Sequence, residues 1–178
     1  PHKAIFLENL VASYQQLEEF GKAELLLKEK LEGRRFQPQY YITLGYNYTL
    51  QNKDSLAKIN YKQALEELTL KPNYATIIAK KFEDYSLLDE AIAAYEKGME
   101  LNPNLNANVQ LARIYGEQGN VELMFNKFIA LIETRPNYKS LAQRNFSSYI
   151  TEDPENEANI IFRKMLLKKL QESPEVLY

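Results

Sequence analysis

The feature that most constrains this chain is a set of residue types that returns at a fixed interval. Tyr41, Leu44, Gly45, Tyr48, Ala57, Tyr61 and Ala64 are followed, 34 residues on, by Ala75, Ile78, Ala79, Phe82, Ala91, Tyr95 and Gly98. After 33 more residues the same places are held by Asn108, Leu111, Ala112, Tyr115, Met124, Phe128 and Leu131. A period of this size marks stacked supersecondary units, none of which buries enough apolar surface to stand alone.

Inside a unit, residues 41, 44 and 48 form one apolar stripe with helical spacing, and 57, 61 and 64 form another. Small residues recur between large ones: Gly45 with Ala79, Ala57 with Ala91. Antiparallel helices approach closely where one carries a small residue and the other a large one. Each unit therefore reads as a helical hairpin whose crossing is set by small-against-large contacts.

These residues closely resemble the tetratricopeptide repeat. The resemblance rests on the seven places just named, with Pro103 and Pro136 standing near the ends of their units as prolines do in that family. It is strongest in the three units beginning at Pro38, Pro72 and Leu105. In the last of these, Met124 and Leu131 stand where small residues are usual, so that hairpin is expected to be splayed or shifted. In the first unit Leu10, Tyr14, Ala23 and Leu27 fit, while Val11 and Lys30 do not. In the fifth Tyr149, Ala158 and Phe162 fit, while Asn145, Phe146 and Met165 do not.

The resemblance implies an all-α fold: a right-handed superhelical α-solenoid of about five hairpins. The chain is expected to be a single domain over residues 1–178, with units at about 4–37, 38–71, 72–104, 105–138 and 139–172. Residues 173–178 read as the start of a further unit.

Along the chain, the first helix is expected from about Lys3 to Leu17 and its partner from Gly21 to Leu31. Gly33 ends that partner, and Arg34 and Arg35 follow at the carbonyl end, where positive charge is favourable. Pro38, Pro72, Pro103 and Pro136 mark later units, at positions where a missing N–H costs little. Residues 51–54, 84–86 and 116–120 are turns, and 151–156 the longest loop. The final helix carries Ile160, Ile161, Phe162, Met165, Leu166, Leu167 and Leu170 around its whole circumference. A helix apolar all round is buried on several faces. Continuation of the native protein beyond Tyr178 is therefore expected, or else homo-oligomer contact through this terminal helix. The opening Pro1-His2-Lys3 reads as that of a fragment or processed form.

Composition excludes several classes. Among 178 residues, 45% are hydrophobic and 26% charged, an ordinary balance for a soluble domain. A net charge of −2 argues against a general nucleic-acid binder. No apolar run approaches the roughly 18 residues of a transmembrane helix. The absence of cysteine removes disulfides, thiolate metal sites and cysteine catalysis, without separating cytoplasm from periplasm.

Catalytic groups are scarce. His2 is the only histidine and stands at the chain's start, so a histidine-based triad or His-rich metal site has no material. Gly116 to Gly119 is a turn between helices, not a phosphate loop. Glu18-Glu19 and Glu66-Glu67 belong to solvated faces. Asp153, Glu155 and Glu157 lack the glycine and ligand spacing of a calcium loop. No catalytic residue, metal or cofactor is expected.

In the resembled family, stacked hairpins leave a concave face lined by their first helices, and this groove is where binding is expected. Carried over place by place, the lining residues are Gln39, Ile42 and Tyr46 in the second unit, Thr76 and Lys80 in the third, and Asn106, Val109 and Arg113 in the fourth. Glu8, Ala12, Thr49, Asn73 and Glu83 occupy further groove places. Asparagine, glutamine and threonine hydrogen-bond peptide backbone. Lys80 and Arg113 hold equivalent places and suit a carboxylate or acidic segment. Tyr46, unlike Tyr41, Tyr48, Tyr61, Tyr95 and Tyr115, falls outside the core set and suits an interface. The expected function is a non-catalytic scaffold binding a protein or peptide; the alternative is a self-assembly module of a larger multi-repeat protein.

Overall fold

The computed structural model describes residues 2–33 and 37–172. Arg34, Arg35 and the expected start of a further unit at 173–178 lie outside the described residues, as does the side chain of His2. Ten α-helices and two short 3-10 turns, with no strand among the described residues, form two compact units, Pro1–Leu105 and Asn106–Tyr178.

The first unit contains α1 (His2–Gln16), α2 (Phe20–Glu32), α3 (Gln39–Thr49), α4 (Asp54–Leu70), α5 (Ala75–Asp84) and α6 (Leu88–Leu101). They pair as hairpins α1–α2, α3–α4 and α5–α6, and the hairpins stack through α2 on α3, α3 on α5 and α4 on α6. The second unit contains α7 (Asn108–Glu117), α8 (Val121–Thr134), α9 (Lys139–Phe146) and α10 (Glu157–Glu172). It is a helical-repeat, all-α architecture.

The turns carry the period in their backbone. Glu18, Asn52 and Ser86, all at φ 57°, and Gly119 at φ 75° adopt left-handed geometry at the same place in four hairpins. In each, the carbonyl of the stripe's aromatic residue accepts an amide five residues on. Glu19 N donates to Tyr14 O (2.8 Å), Lys53 N to Tyr48 O (3.0 Å), Leu87 N to Phe82 O (3.0 Å) and Asn120 N to Tyr115 O (2.8 Å). This helix-ending motif satisfies orphan carbonyls and reverses the chain in few residues.

Small-against-large contact fixes the crossings. A β-carbon on Gly45 would lie 2.4 Å from Cε1 of Tyr61, and one on Gly98 would lie 2.2 Å from Cβ of Ala75. The seven residues Tyr48, Tyr61, Ile78, Phe82, Tyr95, Leu111 and Phe128 are all buried.

The splaying expected of the fourth hairpin does not occur: α7 and α8 pack as closely as α5 and α6. The small residue has changed sides. Met124 occupies the place usually small, but it faces Gly116, whose β-carbon would meet Met124 Sδ at 3.2 Å. The absent side chain on α7 makes room for the long one on α8.

The fifth pair departs further. Of the three places where small residues would let helices close, Ala158 holds one, but Phe146 on α9 and Met165 on α10 stand at the other two. Both are buried, and α10 packs chiefly on α8 instead of closing onto α9. Phe125 of α8, Phe146 and Phe162 of α10 meet with centroids 4.8–5.0 Å apart. The expectation that α10 is covered on several faces is corrected here. Only Ala158 and Met165 are buried, because α10 has one close neighbour; Leu167 and Leu170 are exposed. Asn159 braces the preceding loop, accepting from Thr151 N (3.1 Å) and donating to the carbonyls of Thr151 (2.8 Å) and Asp153 (2.5 Å).

Candidate functional site

In the first unit, side chains from the first helices of three successive hairpins converge. Glu8 of α1 and Lys81 of α5 pair at 3.4 Å, though 73 residues separate them. Lys81 also pairs with Asp84 at 3.6 Å and lies over the Tyr85 ring, 5.3 Å from its centroid. Tyr85, which ends α5, stacks on Tyr46 of α3 with centroids 4.1 Å apart and planes 11° from parallel. The Tyr85 hydroxyl donates to Thr43 Oγ1 at 3.4 Å. The result is an aromatic pair held between α3 and α5, with an ammonium on one side.

The electrostatics follow from burial and neighbours. Lys81 is only 13% exposed. Burial alone would push its ammonium down, but Tyr85, Glu8 and Asp84 together hold it above the ordinary lysine value. Burial pushes the Tyr85 hydroxyl up, against the opposing pull of Thr43 and Lys81. Lys81 is therefore a charged, internally satisfied group that fixes the geometry of this face.

The expected site residues are not all placed alike. Tyr46 is half-buried, with one ring face against Tyr85. Lys80, one repeat after Tyr46, and Thr76, one turn earlier on α5, are exposed. Gln39 is half-buried at the start of α3; its Nε2 donates to Gln37 Oε1 at 2.7 Å, while its own Oε1 is enclosed and has no partner among the described residues.

Ile42 is a correction. It is fully buried and lines no surface. The reason is the position of α3, packed by α2, α4 and α5, so that seven of its eleven residues are enclosed.

In the second unit, Val109 and Arg113 lie one turn apart on α7. Val109 is half-buried and Arg113 exposed, its Nη1 2.5 Å from Glu117 Oε1. Asn106 stands before the helix and accepts from Asn108 N at 3.1 Å, a turn-forming role.

Lys81 and Tyr85 were not among the expected site residues. Their signal is present: 78, 81, 82 and 85 share one helical stripe, which draws Lys81 rather than Lys80 against packed surface. Among the described residues no cluster of three or more His, Cys, Asp or Glu could hold a metal, and no helix is long and apolar enough to cross a membrane.

Comparison with known proteins adds two findings. The tetratricopeptide repeat family model matches residues 87–105, which cover α6 and the turn after it. A solved structure titled "MamA AMB-1 P212121" is 17% identical, covers 99% of this chain and 94% of its own, and superposes with a TM-score of 0.43. A score of that size leaves the fold to rest on the residues themselves. No curated protein matches. The match on α6, set in a hairpin whose turn geometry recurs in three others, supports a tetratricopeptide repeat assignment for this chain.

Proposed function

We propose that the chain is a non-catalytic interaction scaffold whose first unit receives an acidic peptide or protein segment on the face built by α1, α3 and α5. The observation that carries this reading is the Tyr46–Tyr85 stack. An aromatic surface already ordered by Thr43, Lys81 and Glu8 loses little entropy on binding, which is what an interface anchor needs. Lys81 is occupied by its own partners, so Lys80 is the cation offered to a ligand carboxylate, with Thr76 and Gln39 for its backbone. Asn106, Val109 and Arg113 are proposed as a separate contact patch of the second unit, taken by itself. A protein rather than a nucleic acid fits the net charge of −2.

The test is fluorescence anisotropy with labelled acidic, neutral and basic peptides. Acidic peptides should bind best, and Tyr46→Ala and Lys80→Glu should each weaken them by about tenfold. Equal binding of all three charge classes, or variants that bind like the parent, would contradict the reading.

One observation favours a second reading, self-assembly through α10. Leu167 is 55% and Leu170 41% exposed on that helix. Light scattering should then show a dimer that Leu167→Lys abolishes; a monomer at all concentrations would remove this reading.

A further inference from the structure

Within the second unit, the failure of α9 and α10 to close leaves a cavity of about 430 Å³. Its walls are Ile129 and Ile132 of α8, Phe146 and Ile150 at and beyond the end of α9, and Phe162 and Leu166 of α10. The remaining lining comes from one side of α9 and its C-cap: Lys139, Gln143 and Ser147, each about one turn from the next. Lys139 is the only charged group among these lining residues, and no carboxylate joins it.

We infer that this cavity binds a free single-chain amphiphile with a carboxylate head, a medium-chain fatty acid in chemical class. Its size lies within the range of small-molecule clefts, and a largely apolar wall with few polar groups is their usual chemistry. An alkyl chain meets this apolar surface along its length. Its carboxylate reaches the Lys139 ammonium at the mouth, where Gln143 and Ser147 supply further donors.

The experiment is calorimetric titration of the full chain with sodium decanoate below its micellar concentration. Saturable one-site binding is expected. Lys139→Glu should weaken it by about tenfold or more, and should reverse the preference toward decyltrimethylammonium. Decan-1-ol, lacking the charge, should bind the parent less tightly than decanoate. Leu166→Glu should abolish decanoate binding, with circular dichroism checking its fold. Lys139 is exposed at the start of α9, where an acidic residue is compatible with the helix, so Lys139→Glu remains informative if Leu166→Glu unfolds. Absence of saturable heat, or equal decanoate binding by the parent and Lys139→Glu, would overturn the inference.

Discussion

Tyr61 lies against Gly45 so closely that a β-carbon on the glycine would fall 2.4 Å from Cε1 and 2.6 Å from Cδ1 of the ring. The ring cannot easily retreat. Its edge packs on Phe82 at 5.7 Å, and its hydroxyl shares a 2.9 Å hydrogen bond with Thr49 Oγ1. Gly45→Ala should therefore destabilise the fold by about 1–3 kcal/mol, more than the ~1 kcal/mol that alanine gains in helix propensity. Urea denaturation measures it. Tyr61→Leu in the Gly45→Ala background should recover part of the loss.

The left-handed turn residues predict opposite outcomes at two equivalent positions. Ser86 is exposed at φ 57°, a conformation that strains any residue with a β-carbon. Ser86→Gly should raise stability by about 0.5–1 kcal/mol. Gly119, at φ 75° with open space around its α-carbon, should lose about 1–2 kcal/mol on conversion to alanine, from backbone strain alone. Thermal melts of the two variants should shift in opposite directions.

Glu24 predicts a pH dependence. Lys28 at 2.6 Å holds its carboxyl below the usual value against the opposing effect of burial, and the Tyr48 hydroxyl, donating at 2.9 Å, adds to the lowering. A depressed acid contributes stability above its unfolded pKa and loses it as pH falls through the folded one. Glu24→Gln should thus cost under about 1 kcal/mol at pH 7, since the pair is partly solvated. The parent and variant stability curves should converge in strong acid; a gap that persists at pH 2 would count against the pairing.

The fifth helix pair predicts uneven protection. With α9 only eight residues long and α10 held chiefly by α8, their amides should exchange faster with solvent than those of α3 to α6. Hydrogen exchange read by mass spectrometry separates these segments.

The hairpins were legible because burial imposes the same small and bulky residues at every stacked crossing, as Gly45 with Tyr61 shows. Pairings of side chains across helices were less so. Met124 read alone implies a gap, and only its partner Gly116 on the facing helix removes it. Ile42 read as a groove residue because the resembled family turns that repeat place toward the groove, yet α3 is packed by three helices here. Lys80 and Lys81 differ by one position, and their fates differ because a helix rotates about 100° per residue. The stripe of 78, 82 and 85 draws Lys81 toward packed surface, but nothing in a linear pattern names its partner as Glu8, 73 residues away.

The most direct measurement is nuclear magnetic resonance mapping of the isotopically labelled chain titrated with an acidic peptide. The account predicts shift changes concentrated at Tyr46, Thr76, Lys80 and Tyr85, saturating together. Perturbations scattered over the molecule, or confined to residues outside α1, α3 and α5 in the first unit, would contradict it.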